Sequence, residues 1–111
     1  MRLNPQPFSM IESGEKTIEL RLYDEKRQKI CVGDRIRFIH TEGAEKQLVC
    51  AVKNMHVFPS FEALYAYLPL RKCGYTEETL PFADPKDMEA YYSKSEQEKY
   101  GVVGIEIEVT K

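Results

Sequence analysis

Residues Ser13–Arg21 read SGEKTIELR, and Leu22 follows. From Thr17 onward, apolar and polar residues alternate. On a β-strand, side chains point to opposite faces with period two. Ile18, Leu20 and Leu22 therefore share a core-facing side. Thr17, Glu19 and Arg21 share the other side, which reads as the polar face of the strand. Glu19 and Arg21 then stand about 7 Å apart along that face, from a rise of roughly 3.3 Å per residue. Lys16 lies just before the strand and can lean over either face. Gly14 suits the left-handed conformation that ends a preceding helix. A helix thus stops at Gly14, a strand starts at Thr17, and three ionisable groups gather at the junction.

The chain has 111 residues, 42% of them hydrophobic and 31% charged. That length and balance suit one folded domain, 1–111, rather than a disordered chain. No apolar run approaches the roughly 20 residues of a membrane span. The N-terminus MRLNPQPFSMIESGEK lacks the apolar stretch of a signal peptide. A cytoplasmic protein with no membrane partner is expected. Cys31, Cys50 and Cys73 are odd in number, with no CxxC pair, so they read as reduced packing residues. His40 and His56 have no ligand at metal-binding spacing, so neither a metal nor another cofactor is expected. The net charge of −2 excludes a generally basic nucleic-acid coat. The charges are unevenly spread, however. Lys16–Arg37 carries seven basic against four acidic residues, and Glu77–Glu108 three against nine. A basic face opposite an acidic one follows. Solvated helix faces explain the acidic segment more simply than a basic protein partner does.

Working outward, Phe8 and Ile11 mark one face of a short helix with Pro7 in its first turn. After the Thr17–Leu22 strand comes a charged loop, YDEKRQK. A turn at Val32-Gly33-Asp34 leads into a strand from Arg35 to His40, with Ile36 and Phe38 on one face. Gly43 marks a hairpin, and a long strand runs from Gln47 to about Phe58. Ser60 is placed to cap a helix with the stripe Phe61, Leu64, Tyr65 and Leu68, stopped by Pro69. Leu70–Pro85 is irregular and reads as a lid over the site or an inert loop; long irregular stretches are often functional, which favours the lid. Asp84 before Pro85 begins the helix PKDMEAYYS. Ser95 caps one further turn, ended by Gly101. The closing strand Val102–Val109 places Ile105, Ile107 and Val109 inward and Glu106 and Glu108 outward. The sum is an α+β domain: a small mixed β-barrel or strongly bent sheet, strands largely in meander or hairpin order, with short flanking helices.

Gly14, Lys16, Glu19 and Arg21 spell G-x-K-x-x-E-x-R at the helix-to-strand junction. With VGDRIRF from Val32 and EKYGVVGIEI from Glu98, this resembles the ASCH domain family, relatives of the PUA domains, over nearly the whole chain. The resemblance implies a PUA-like barrel with a cleft beside the motif. Members of this family have been regarded as RNA-binding modules, and one branch hydrolyses 4-acetylcytidine.

The motif's own chemistry suits a nucleotide. An Arg fork matches phosphate or carboxylate, and a carboxylate accepts from a base amine or ribose hydroxyl. The first reading is a module that binds RNA, a nucleotide or a nucleoside through Gly14, Lys16, Glu19 and Arg21. Lys26, Arg27 and Lys29 add positive charge, and Tyr23 is the stacking aromatic. Tyr91, Tyr92 and Tyr100 read as residues that pack helices onto the barrel. The alternative is a small amidohydrolase on acylated nucleosides, with Lys16 and Glu19 catalytic. The hydrolytic branch has K-T-I-T-x-R, whereas this chain has Glu19 in place of the second threonine. An ionised Glu19 would favour the protonated Lys16 amine and weaken it as base or nucleophile. Glu19 would then be the base. That branch also uses a later glutamate, for which Glu77, Glu78 and Glu89 lie in the right region. The plain structural alternative is a surface ion-pair network of Lys16, Glu19 and Arg21, contributing about 0–1 kcal/mol per pair.

Overall fold

The computed structural model describes residues 1–110. Its elements are β1 (Arg2–Leu3), α1 (Pro5–Ser13), β2 (Ile18–Leu22), β3 (Arg35–His40), β4 (Gln47–Phe58), α2 (Phe61–Tyr67), α3 (Lys94–Tyr100) and β5 (Val102–Val109). Short 3-10 turns occupy Arg27–Lys29, Leu70–Cys73, Leu80–Phe82 and Pro85–Ala90. The α+β class and the mixed sheet follow the sequence reading. Gly14 ends α1 at φ 87°, donating its N–H to the Ile11 carbonyl. Ser60 caps α2 by accepting from the Ala63 N–H.

Three boundaries differ. Ser93, not Ser95, caps α3, because Glu96 closes a capping box with it. Asp84 does cap, but only the 3-10 turn Pro85–Ala90 follows, not a helix through Ser93. The two-residue β1 has no sequence signature of its own, since two residues carry no period.

The five strands form one curled sheet in the order β1-β3-β4-β5-β2. This is not a simple meander. β1 runs parallel to β3, while β2 pairs antiparallel with β5, far from its neighbours in sequence. β4 is long enough to pair with both β3 and β5, and a register shift between Val52 and Asn54 bends it. The result is a half-barrel whose free edges are β1 and β2.

Each face of this sheet builds a core. Inside the curl, Phe8 and Ile11 of α1 meet Phe38, Cys50, Val103, Ile105 and Ile107. Outside it, Phe61, Leu64 and Leu68 cover Ile18, Leu20 and Leu22. The register sets Leu20 opposite Gly104. A Cβ on Gly104 would lie 2.6 Å from Leu68 Cδ1 and 3.2 Å from Ile18 Cγ2. Hydrogen there is what lets α2 close on the strands.

Gly104→Ala should therefore cost about 1–3 kcal/mol by overpacking. Leu68→Ala alone should cost about 2–5 kcal/mol through the cavity it leaves. Chemical denaturation of the double variant should show a loss smaller than the sum of the two, because the second change relieves the clash.

Candidate functional site

The alternation of β2 is as read, but its second face is not solvent. Opposite residues of an antiparallel pair share a face. Glu19 pairs with Ile105 and Arg21 with Val103, both inside the curl. Glu19 is accordingly 3% exposed, the one buried charged residue among those described. The surface-network reading is corrected on this ground.

Its charge is met on both sides. Lys16 Nζ lies 2.8 Å from Glu19 Oε1. Arg21 donates from Nε (3.0 Å) and Nη2 (2.8 Å) to Glu19 Oε2. Arg21 Nη2 also donates to the Arg2 carbonyl at 2.9 Å, so one side chain spans the gap between the two sheet edges. Burial pushes Glu19 upward, but Lys16 and Arg21 outweigh it and hold the carboxyl below its ordinary value of 4.5. Burial opposes the Arg21 charge, and Glu19 more than restores it.

Lys16 is positioned by backbone on either side. Its own N–H donates to the Met10 carbonyl (3.0 Å), and the next N–H, Thr17, to the Lys72 carbonyl (2.9 Å). Its aliphatic stem crosses Gly74, where an added Cβ would come within 3.4 Å of Lys16 Cδ. Gly74 itself has φ 113°, a conformation that disfavours any side chain.

A pocket of about 990 Å³ opens at the seam between β1 and β2. Lys16, Glu19 and Arg21 line it together with Arg2, Asn4 and Met10. Cys73, Gly74, Tyr75, Thr76 and Thr79 also line it, and the first half of the Leu70–Pro85 segment is anchored beside Lys16, where the Thr17 N–H donates to the Lys72 carbonyl. Tyr65, Asp87, Tyr91 and Tyr92 complete the lining. Tyr92 stacks on Phe61 at 6.2 Å between ring centroids and stands beside Arg21. Burial raises its phenol, partly offset by Arg21. Burial pushes the Cys73 thiol up to about 11 despite Lys16, so it is a neutral lining group near pH 7.

Of the residues singled out in sequence, the pocket unites Lys16, Glu19 and Arg21. Gly14 does not line it and serves as the stop of α1. Tyr23 packs against the inner core outside the pocket. Arg27 pairs with Asp24 at 3.1 Å, and neither it nor Lys26 or Lys29 lines the pocket. Glu77, Glu78 and Glu89 are also absent from the lining; Asp87 is the carboxylate of that region which reaches it. Tyr91 and Tyr92, read as helix packing, are lining residues, and Tyr92 also packs on the outer core as Tyr100 does. The signal for Tyr65 was a phenol within an otherwise apolar helical stripe. Tyr75 and Asp87 had no local signal. Among the described residues, no group of three or more His, Cys, Asp or Glu could hold a metal. No described helix is long and apolar enough to cross a membrane.

Arg21→Ala should cost stability, since Arg21 is half of what neutralises a buried carboxylate. The clearest test is Glu19→Gln, which leaves two cations without their shared counter-charge. It should lose roughly 3–5 kcal/mol at pH 7. Because Glu19 is held below 4.5 in the fold, its stabilisation is present above that value and is lost as pH falls through the folded value. Melting temperatures measured across pH 7 to 2 should show a steeper acid fall for wild type than for Glu19→Gln.

Known proteins place this geometry. A model of the ASCH domain matches residues 1–111. The hypothetical protein PH0355 has a crystal structure with 33% identity and a TM-score of 0.78, over 99% of this chain and 96% of its own. Protein PF0455 from Pyrococcus furiosus, solved by NMR, is 28% identical with a TM-score of 0.69, over 100% of this chain and 99% of its own. A Tyr-to-Phe mutant of the ASCH protein from Zymomonas mobilis shares the fold at a TM-score of 0.66 and 15% identity; the match covers 97% of this chain and 66% of that one. A comparison with curated proteins finds no match. The match along the full chain shows that this protein belongs to the ASCH domain family.

Proposed function

We propose that the protein binds a nucleoside or nucleotide, free or as an unpaired base of RNA, in the pocket between β1 and β2. The observation that carries this reading is the fixed ion triad in the lining of a pocket that also holds tyrosines. Lys16 uses one N–H on Glu19 and has two more to offer a ligand, while Arg21 is engaged by Glu19, the Arg2 carbonyl and the neighbouring Tyr92. These donors suit a phosphate or a base carbonyl. Tyr91 and Tyr92 offer ring faces for stacking. The volume of about 990 Å³ is at the upper end for a small-molecule site, enough for one nucleotide. With a net charge of −2, binding rests on this pocket and not on a broad basic surface.

Lys16 in the lining of the pocket also favours a second reading, hydrolysis of an acylated nucleoside amine. Against it, Glu19 has both oxygens engaged and is held below the ordinary carboxylate range, which makes it a weak base.

Titration with the four ribonucleoside 5′-monophosphates, followed by NMR, should shift amides in 16–21 and 74–79. Lys16→Ala should weaken the best binder about tenfold, the loss of one charge-assisted bond. The same preparation incubated with 4-acetylcytidine discriminates the two readings: cytidine release that Lys16→Ala abolishes would move the site to hydrolysis. No shifts and no release would remove both.

A further inference from the structure

In the lining of the same pocket, three side chains form a hydrogen-bond chain whose direction is fixed at the Asp87 end. Asp87 Oδ2 receives the Asp84 N–H at 3.2 Å, which closes the capping box of the 85–90 turn. The same oxygen receives the Tyr75 hydroxyl at 2.7 Å. A carboxylate only accepts, so the single proton of Tyr75 is committed to it. Tyr65 and Tyr75 oxygens lie 2.7 Å apart. Tyr75 has no second proton, so Tyr65 must donate in that contact. Tyr65 then has no proton left for a ligand. Its oxygen, like the remaining lone pair of Tyr75, can only accept. All three residues line the pocket.

The pocket therefore holds two kinds of partner. Lys16 supplies N–H donors to it. The two phenols supply acceptors. Burial raises both phenols, and for Tyr75 the Tyr65 and Asp87 bonds add to it, so they stay protonated in this arrangement. Asp87 fixes the Tyr75 proton through Oδ2 while itself lining the pocket.

Building on the nucleoside-binding reading, we infer that Tyr65 and Tyr75, oriented by Asp87, select a heterocycle bearing an exocyclic amine over its oxo counterpart. An amine directed at the phenols donates to oxygens that need a proton. A carbonyl in its place sets acceptor against acceptor, and buried polar groups left unpaired are what make such sites discriminate. Asp87 is a positioning residue in this scheme.

The test compares dissociation constants for cytidine against uridine and adenosine against inosine, by NMR titration of the full chain. Wild type should favour the amino member of at least one pair about tenfold or more. Tyr75→Phe frees the Tyr65 proton to point at a ligand, and the preference should shrink or invert while binding persists. Asp87→Ala releases the Tyr75 proton with both phenols retained and should have the same effect, so a folding failure in one variant leaves the other informative. Equal affinity within both pairs for wild type overturns the inference and leaves nucleoside binding intact. A wild-type preference unchanged in a folded Tyr75→Phe or Asp87→Ala protein also overturns it. Absence of binding by all four nucleosides overturns it together with the reading it rests on.

Discussion

A single buried carboxylate organises this molecule. Glu19 sits inside the curl of the sheet, where an unpaired charge would be prohibitive, and it is stable there only because Lys16 and Arg21 reach it from opposite sides. Much else follows from that requirement. The Lys16 stem lies over Gly74, with the Leu70–Cys73 turn beside it. Arg21 reaches the Arg2 carbonyl and so ties the two free edges of the half-barrel together. The triad thus holds the seam of the fold and lines its pocket with the same atoms.

The rest of the domain supplies the surroundings that make this arrangement affordable. β2 has no solvent face: α2 covers Ile18, Leu20 and Leu22, and the inner core surrounds Glu19 on the other side. Closure of α2 depends on Gly104, whose missing side chain lets Leu68 approach. A strand packed from both sides is rigid, and rigidity is what a polar site needs to hold its donors without a ligand. The pocket therefore comes preorganised both by an ion pair and by a capped turn, since the Asp84–Asp87 box fixes the carboxylate that orients Tyr75.

This division of polarity bears on how binding and catalysis are told apart in such a fold. Triad members in mutual contact serve well as fixed donors and poorly as proton carriers, because moving a proton off Lys16 or onto Glu19 would undo the balance that holds the seam. The tyrosines of the pocket carry no such charge balance, although Tyr65 and Tyr92 also pack against the outer core.

The residue pattern alone determined the local elements and the motif. Period-two alternation placed Ile18, Leu20 and Leu22 together and Glu19 with Arg21. Gly14, Ser60 and Asp84 announced their caps, and the G-x-K-x-x-E-x-R spacing pointed to the family. These are short-range properties, read from neighbours within a few residues. Tertiary structure decided what the pattern could not carry. β2 pairs with β5 from 80 to 88 positions away, Leu22 with Val102 to Ile18 with Glu106, so only the assembled sheet shows that its polar face is covered and that Glu19 is buried. The same holds for Tyr65, Tyr75 and Asp87, which come from three separate segments and meet only after the chain has folded around the seam. Tyr23 and Glu77, plausible by proximity in sequence or by type, lie outside the pocket because their backbone leads elsewhere. Alternation says which side chains share a face; only long-range packing says whether that face meets water.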